Sequence, residues 1–255
     1  MEANNSFQDD VRLSVVIMKN EFLKQIRGKR IMVYGILMAI ILAALTGVIL
    51  YMGDLDEYTP QVMGLNYISM VNLMVIIGVT LFTATSVVSE FEERTALILF
   101  NRPIKKISIY IGKFLGGFLM LTALMAVYYA IVMIICLALT GVPSELFESF
   151  GYAMCYIFAT SGVAMMFSSL MKKSSTASIV TFFTLVLLFD VVFSVIAIIA
   201  ELDDPWFMLN TAAQAVTESL SKPGSVDGFR VVGTLAVWGI IPLIIGFLKF
   251  NKKDF

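Results

Sequence analysis

The chain has 255 residues and no histidine. That absence removes Ser-His-Asp triads, Cys-His dyads, H-E-x-x-H zinc sites and imidazole proton relays. No G-x-x-x-x-G-K-[ST] stretch occurs either. Gly112-Lys113 is followed by Phe114 and preceded by no phosphate-cradling loop, so the chain cannot bind and hydrolyse ATP in the P-loop manner. The two cysteines, Cys136 and Cys155, lie in apolar runs outside any C-x-x-C, which predicts buried small hydrophobes and no disulfide. The sixteen methionines are scattered, which favours core filling over Cu(I) ligation. No catalytic residue, metal site or cofactor is therefore expected in this chain. Charged residues make up only 15% against 59% hydrophobic. A soluble domain of this length would lack the polar surface to cover itself. Prolines are few, and five of the six fall in predicted connections. The sixth, Pro242, lies in the last apolar run and should kink it.

What is present is long apolar runs, near 31–52, 65–88, 108–138, 151–170, 176–200 and 231–249. Each is long enough to cross ~30 Å of hydrocarbon as a helix. The basic residues then fix the orientation. With the N-terminus inside, Lys222 and Arg230 alone of the 18 Lys and Arg lie outside. The opposite orientation breaks the positive-inside rule at nearly every loop. The predicted fold is an all-α integral membrane protein with six transmembrane helices and both termini cytoplasmic. Residues 1–255 read as a single membrane domain: a cytoplasmic or interfacial segment 1–30, a six-helix bundle 31–249 and a tail 250–255. No cleavable signal is expected at the start, since charges recur through residues 1–30. The basic inner face reads as topology and lipid contact, with no nucleic-acid role.

Two segments outside the runs carry helical stripes. Val11, Val15, Met18, Phe22 and Ile26 recur at steps of four and three, flanked by Lys19, Lys24, Arg27, Lys29 and Arg30. This predicts an amphipathic N-terminal helix in the inner headgroup region, or a cytosolic helix packed on a partner, or both. Trp206, Leu209, Ala213, Val216 and Leu220 form a second stripe in the long outer loop. Pro205 suits its start and Pro223-Gly224 its stop. A short helix lying at or dipping into the outer surface is expected there.

Between the second and third spans, residues 89–107 read SEFEERTALILFNRPIKKI. Glu90 and Glu93 lead, Leu97, Ile98 and Phe100 follow, and Pro103 breaks the helix before Lys105-Lys106. Such an element presents apolar side chains at the cytoplasmic surface, where either a partner or headgroups cover them. The order of acidic pair, Thr95, Leu99, Pro103-Ile104, basic pair and Gly112-Lys113 resembles the permeases of ABC-2 type transporters. Ala96 stands where many relatives carry leucine. The basic amphipathic start, the six spans and the long last outer loop agree, so the resemblance covers nearly the whole chain. It implies the permease subunit of an ATP-driven transporter, an exporter, in the cell membrane of a bacterium or archaeon. It further implies a separate ABC ATPase that binds ATP and Mg, and pairing with a second permease copy or a sister permease. Glu90, Glu93, Thr95, Leu97, Leu99 and Pro103 would then form the coupling helix that docks on the ATPase.

Asp190 is the one acidic residue deep in a span, where a charge costs roughly 2.5–3.5 kcal/mol on insertion scales. It reads either as a site for substrate or proton or as a hydrogen-bonded structural carboxyl. Polar stripes on the second and fifth spans most often serve interhelical bonding. In an ABC-2-like dimer these spans would line the central path, which makes Asp190, Asn72, Thr83 and Thr181 candidate path residues. Gly112 and Gly116, with Gly117, form a close-packing signature on the third span. Two rival functions remain open from the residues alone: a proton-coupled secondary transporter using Asp190, and a non-transporting membrane scaffold.

Overall fold

The computed structural model describes residues 7–52, 58–92, 105–199 and 206–252. Its regular elements are all helical: α1 (Phe7–Arg27), α2 (Lys29–Met52), α3 (Pro60–Ile68), α4 (Val71–Phe82), α5 (Val88–Glu92), α6 (Lys106–Leu139), α7 (Leu146–Leu170), α8 (Ser174–Phe183), α9 (Phe189–Ile199), α10 (Leu209–Ser221) and α11 (Gly228–Asn251). A π-helical turn, Thr184–Leu188, joins α8 to α9. Among the described residues, five helical stretches are long and apolar enough to cross a membrane: α2, α3 with α4, α6, α7 and α11. The protein is a multi-pass, all-α membrane bundle.

The fifth predicted span, 176–200, is helical over 174–199 but is broken by the π turn. The second differs more from expectation. It starts early, because Thr59 caps it by accepting the Val62 N–H and Pro60 sits in its first turn. It then ends at Phe82, short of the predicted 88.

Burial runs in the order membrane packing requires. The peripheral α2 buries only a stripe, Tyr34, Met38, Leu42 and Ile49, and exposes Met32, Val33, Ile36 and Ile40. An apolar outer surface of this kind suits lipid and not water. The 34-residue α6 is about 51 Å long at 1.5 Å per residue, well beyond the hydrocarbon thickness. It closes where the Gly141 N–H reaches the Cys136 carbonyl at 2.7 Å, with Gly141 in the left-handed region at φ +102°. At the centre stands α7, packed most extensively against α11. There Gly162 meets Gly239 backbone to backbone: a Cβ on Gly162 would fall 2.2 Å from the Gly239 carbonyl oxygen. Small residues at such a crossing let two helices approach to main-chain contact. Pro242 lies inside α11, buried, one turn further on.

The outer helix exists as α10, with a different environment from the one expected. Leu209, Ala213, Val216 and Leu220 face inward onto α7 and α3 and are buried, while Trp206 precedes the helix and is half exposed. Pro205 lies outside the described residues.

Candidate functional site

The end of the bundle that holds Lys24, Arg30, Lys113 and Lys173 carries the polar construction. It begins where α4 stops. The Thr83 and Ala84 N–H groups both reach the Val79 carbonyl, at 2.9 and 3.0 Å, and Thr83–Val87 then leave the helix. These five residues are buried, so their polar groups and the freed carbonyls of α4 need partners. Arg30 donates to the Leu81 carbonyl at 3.1 Å and to the Thr85 hydroxyl. Gln25 donates from Nε2 to the Phe82 carbonyl at 3.2 Å. A guanidinium at a helix C-terminus also complements the helix dipole. On the far side of the break, the Val87 and Val88 N–H groups that open α5 both donate to the Ser168 Oγ, at 3.0 and 3.2 Å. Ser168 belongs to α7 and is fully buried.

Ser168→Ala should therefore orphan two enclosed amide groups and cost about 1–3 kcal/mol. Thr160→Val is the comparison, since the Thr160 hydroxyl bonds only to Tyr156 and Ile157 carbonyls of its own helix. Thermal unfolding of the two purified variants in detergent checks the difference. Equal midpoints would mean that Ser168 does not hold the break.

A charged cluster sits beside the break. Lys113, 3% exposed, projects from α6 and donates from Nζ to a Glu21 carboxylate oxygen at 2.9 Å and to Glu90 Oε1 at 2.8 Å. Lys24 reaches the same Glu90 oxygen at 3.3 Å. Three helices, α1, α5 and α6, thus share one ionic knot. Glycine makes the approach feasible. A Cβ on Gly112 would lie 2.8 Å from the Ile17 Cβ and the Ser14 carbonyl, and one on Gly116 would lie 2.8 Å from the Glu21 Cβ. The predicted close-packing face of the third span therefore receives α1, whose Ser14, Ile17, Glu21 and Gln25 turn inward. The stripe residues Val11, Val15 and Ile26 remain exposed. Gly117 faces Thr83 instead.

The neighbouring acid of α5, Glu92, accepts the Ser174 N–H at 2.9 Å and so caps α8, whose first turn carries no acid of its own. Hydrogen bonds from Ser174 hold the Glu92 carboxyl below the usual carboxylate range. Glu90 and Glu92 together tether the short α5 to α1, α6 and α8.

Of the residues expected to dock the ATPase, Glu90 stands in this knot, while Glu93, Thr95, Leu97, Leu99 and Pro103 lie outside the described residues. The candidate path residues are not brought together. Asn72 donates to the Ala213 carbonyl at 3.2 Å, tying α4 to α10. Thr83 is fully buried in the break. Thr181 is fully buried and bonds back to the Ala177 carbonyl at 2.7 Å. Asp190 lies in α9, two residues past the π turn. The structure adds Glu21, Gln25, Arg30 and Ser168, which the sequence did not single out. Asp10, Ser14, Glu21 and Gln25 do recur at helical spacing, and that polar stripe was the available signal.

The described residues thus form a multi-pass helical bundle with an unwound, ion-tied joint at its basic end. The chain belongs to the ABC-2 family of transporter proteins, whose family model matches residues 15–255. None of the curated proteins compared with it matches. As an ABC-2 permease it is a non-catalytic transmembrane subunit. Membership also implies the partners usual for such transporters, a separate ATPase and membrane lipids.

Proposed function

We propose that this permease has six spans with both termini cytoplasmic, works as a dimer in the cell membrane of a bacterium or archaeon, and exports its substrate. Residues 89–107 dock on the ATPase, with Glu90, Glu93, Thr95, Leu97, Leu99 and Pro103 as the docking surface. The observation that supports this most is the knot of Glu21, Glu90 and Lys113. A push on 93–104 reaches α5 directly. Through Glu90 it passes to α6 and α1, and through the break at Thr83–Val87 to α4. Coupling between a remote ATPase and a transport path needs an element both can bias, and a short tethered helix beside an unwound joint is suited to that.

The translocation path runs beside the second and fifth spans, where Asp190, Asn72, Thr83 and Thr181 lie. The π turn next to Asp190 favours this, because such turns frequently mark functional positions. The exposed apolar face of the fifth span, Ile179, Phe183, Leu187 and Val191, suits a second permease copy.

Glu93→Lys tests the docking assignment. Tagged protein is pulled down from native membranes in mild detergent, and the co-purifying chains are identified by mass spectrometry. A stoichiometric P-loop ATPase should accompany the wild type and be lost with the variant, with insertion unchanged. Full retention of the ATPase and of coupled hydrolysis by the variant would remove Glu93 from the docking surface.

A further inference from the structure

A polar cavity of about 280 Å³ opens beside the joint, lined by Glu21, Lys24, Gln25, Lys29, Arg30 and Ser89 among others. Its charge is unbalanced. Lys113 offsets Glu21 and Lys24 offsets Glu90, through the ion pairs of the knot. Lys29 and Arg30 have no carboxylate partner among the described residues, so two positive charges remain. Arg30 spends one terminal nitrogen on the Leu81 carbonyl and Thr85 hydroxyl. The rest of its five donors stay available. Ser89 lines the cavity, and so does Gln25, 7% exposed, whose Oε1 is buried with no hydrogen-bond partner among the described residues. A buried amide oxygen without a partner is an unusual vacancy in a native fold, and it can accept from a hydroxyl on a bound group.

The location adds to the chemistry. Ile26, Met32 and Val33, sequence neighbours of the lining residues, are exposed and apolar. The cavity thus lies at the border between the charged end and the apolar belt. It is below the roughly 300–1,000 Å³ typical of drug-sized sites and has room for several waters, each with a share of about 30 Å³.

We propose that this cavity binds a phosphate ester, carried by a phospholipid headgroup or by a soluble phosphate, with Lys29, Arg30 and Ser89 as its donors. Guanidinium and ammonium groups with a hydroxyl are the donor set that a phosphate's oxygens use. A headgroup bound here would touch α1, α2 and α5 together and so bear on the joint that the permease reading uses. The binding itself does not depend on that reading.

The test is native mass spectrometry of the delipidated, purified chain in neutral detergent, titrated with phosphatidylglycerol. Glycerol phosphate serves as the soluble competitor. Lys29→Gln is the variant, because the Lys29 ammonium makes no hydrogen bond or ion pair among the described residues. Lys19→Gln is the control, exposed on α1 and outside the cavity. One saturable phosphatidylglycerol per chain is expected, weakened about fivefold by loss of one charge in Lys29→Gln and unchanged in Lys19→Gln. Glycerol phosphate that fails to compete identifies the lipid as the source. Equal competition identifies the soluble ester, with the same donors. Non-saturating adducts, or equal weakening by both variants, would overturn the site. Loss of ATPase co-purification in the Glu93→Lys experiment bears on none of these outcomes.

Discussion

Lys113→Met is expected to destabilise the protein by about 3–5 kcal/mol, the cost of leaving a buried charge without its partner. The methionine keeps the length of the aliphatic stem, so packing changes little. What changes is that Glu21, with its side chain 8% exposed, loses its ammonium, and Glu90 loses one ammonium while keeping Lys24. The measurement is the thermal unfolding midpoint in detergent, alongside the fraction of protein inserted in membranes. A buried ion pair is weak evidence of net stabilisation, however, because desolvation offsets much of the attraction. The informative companion is therefore the triple variant Glu21→Gln, Glu90→Gln, Lys113→Met. It should recover most of the lost stability, since no buried charge is left unpaired and Lys24, half exposed, is hydrated. Coupled ATPase activity should stay low in it if the knot transmits motion. Full coupling in the triple variant would reduce the knot to a structural feature, and a wild-type midpoint for Lys113→Met would deny the burial itself.

Gly162→Ala is expected to have an effect of similar size through sterics alone. Its new methyl would stand 2.2 Å from the Gly239 carbonyl oxygen. That oxygen is main chain, so no rotamer change relieves the overlap, and α7 and α11 must separate along their shared length. Overpacking ordinarily costs about 1–3 kcal/mol, and a backbone-to-backbone crossing belongs at the upper end or beyond. Gly151→Ala on the same helix is the contrast, with nothing within 4 Å of its Cβ. It should gain up to about 1 kcal/mol from helix propensity. Unfolding midpoints on opposite sides of wild type are the expected result. Matching midpoints would mean that the two helices do not touch at Gly162.

Five of the spans were legible because each is a long apolar run, and length with composition suffices to recognise a helix able to cross a membrane. The joint was not. Thr83–Val87 is apolar enough to read as continuing helix, and the partners that let it unwind come from far along the chain. Arg30 lies 55 residues from Thr85, and Ser168 lies 81 residues from Val87. No local pattern encodes such pairings. The outer helix was legible in position but not in surroundings. Its stripe has the period of an interfacial helix, yet Ala212, Ala213 and Ala215 are small enough to seat it against α7 and α3. For α1 the apolar stripe and its basic flanks were read, while Glu21 and Gln25 on the polar face were not singled out. The glycines of α6 were recognised as a packing face, and only the structure supplied the helix that fills it.

That two-faced character of α1 has a consequence for how the chain is made. Glu21 is synthesised 92 residues ahead of Lys113. At about 5–20 residues per second of elongation, its counter-ion emerges roughly 5–20 s later. Through that interval α1 lacks its main packing partner, because α6 does not yet exist. The exposed stripe of Val11, Val15 and Ile26 would let the nascent segment rest on a membrane surface with its carboxylate still hydrated. Arrival of α6 then draws the polar face off water and onto Gly112 and Gly116. The stripe would then hold the earliest helix in place until the third span completes its seat.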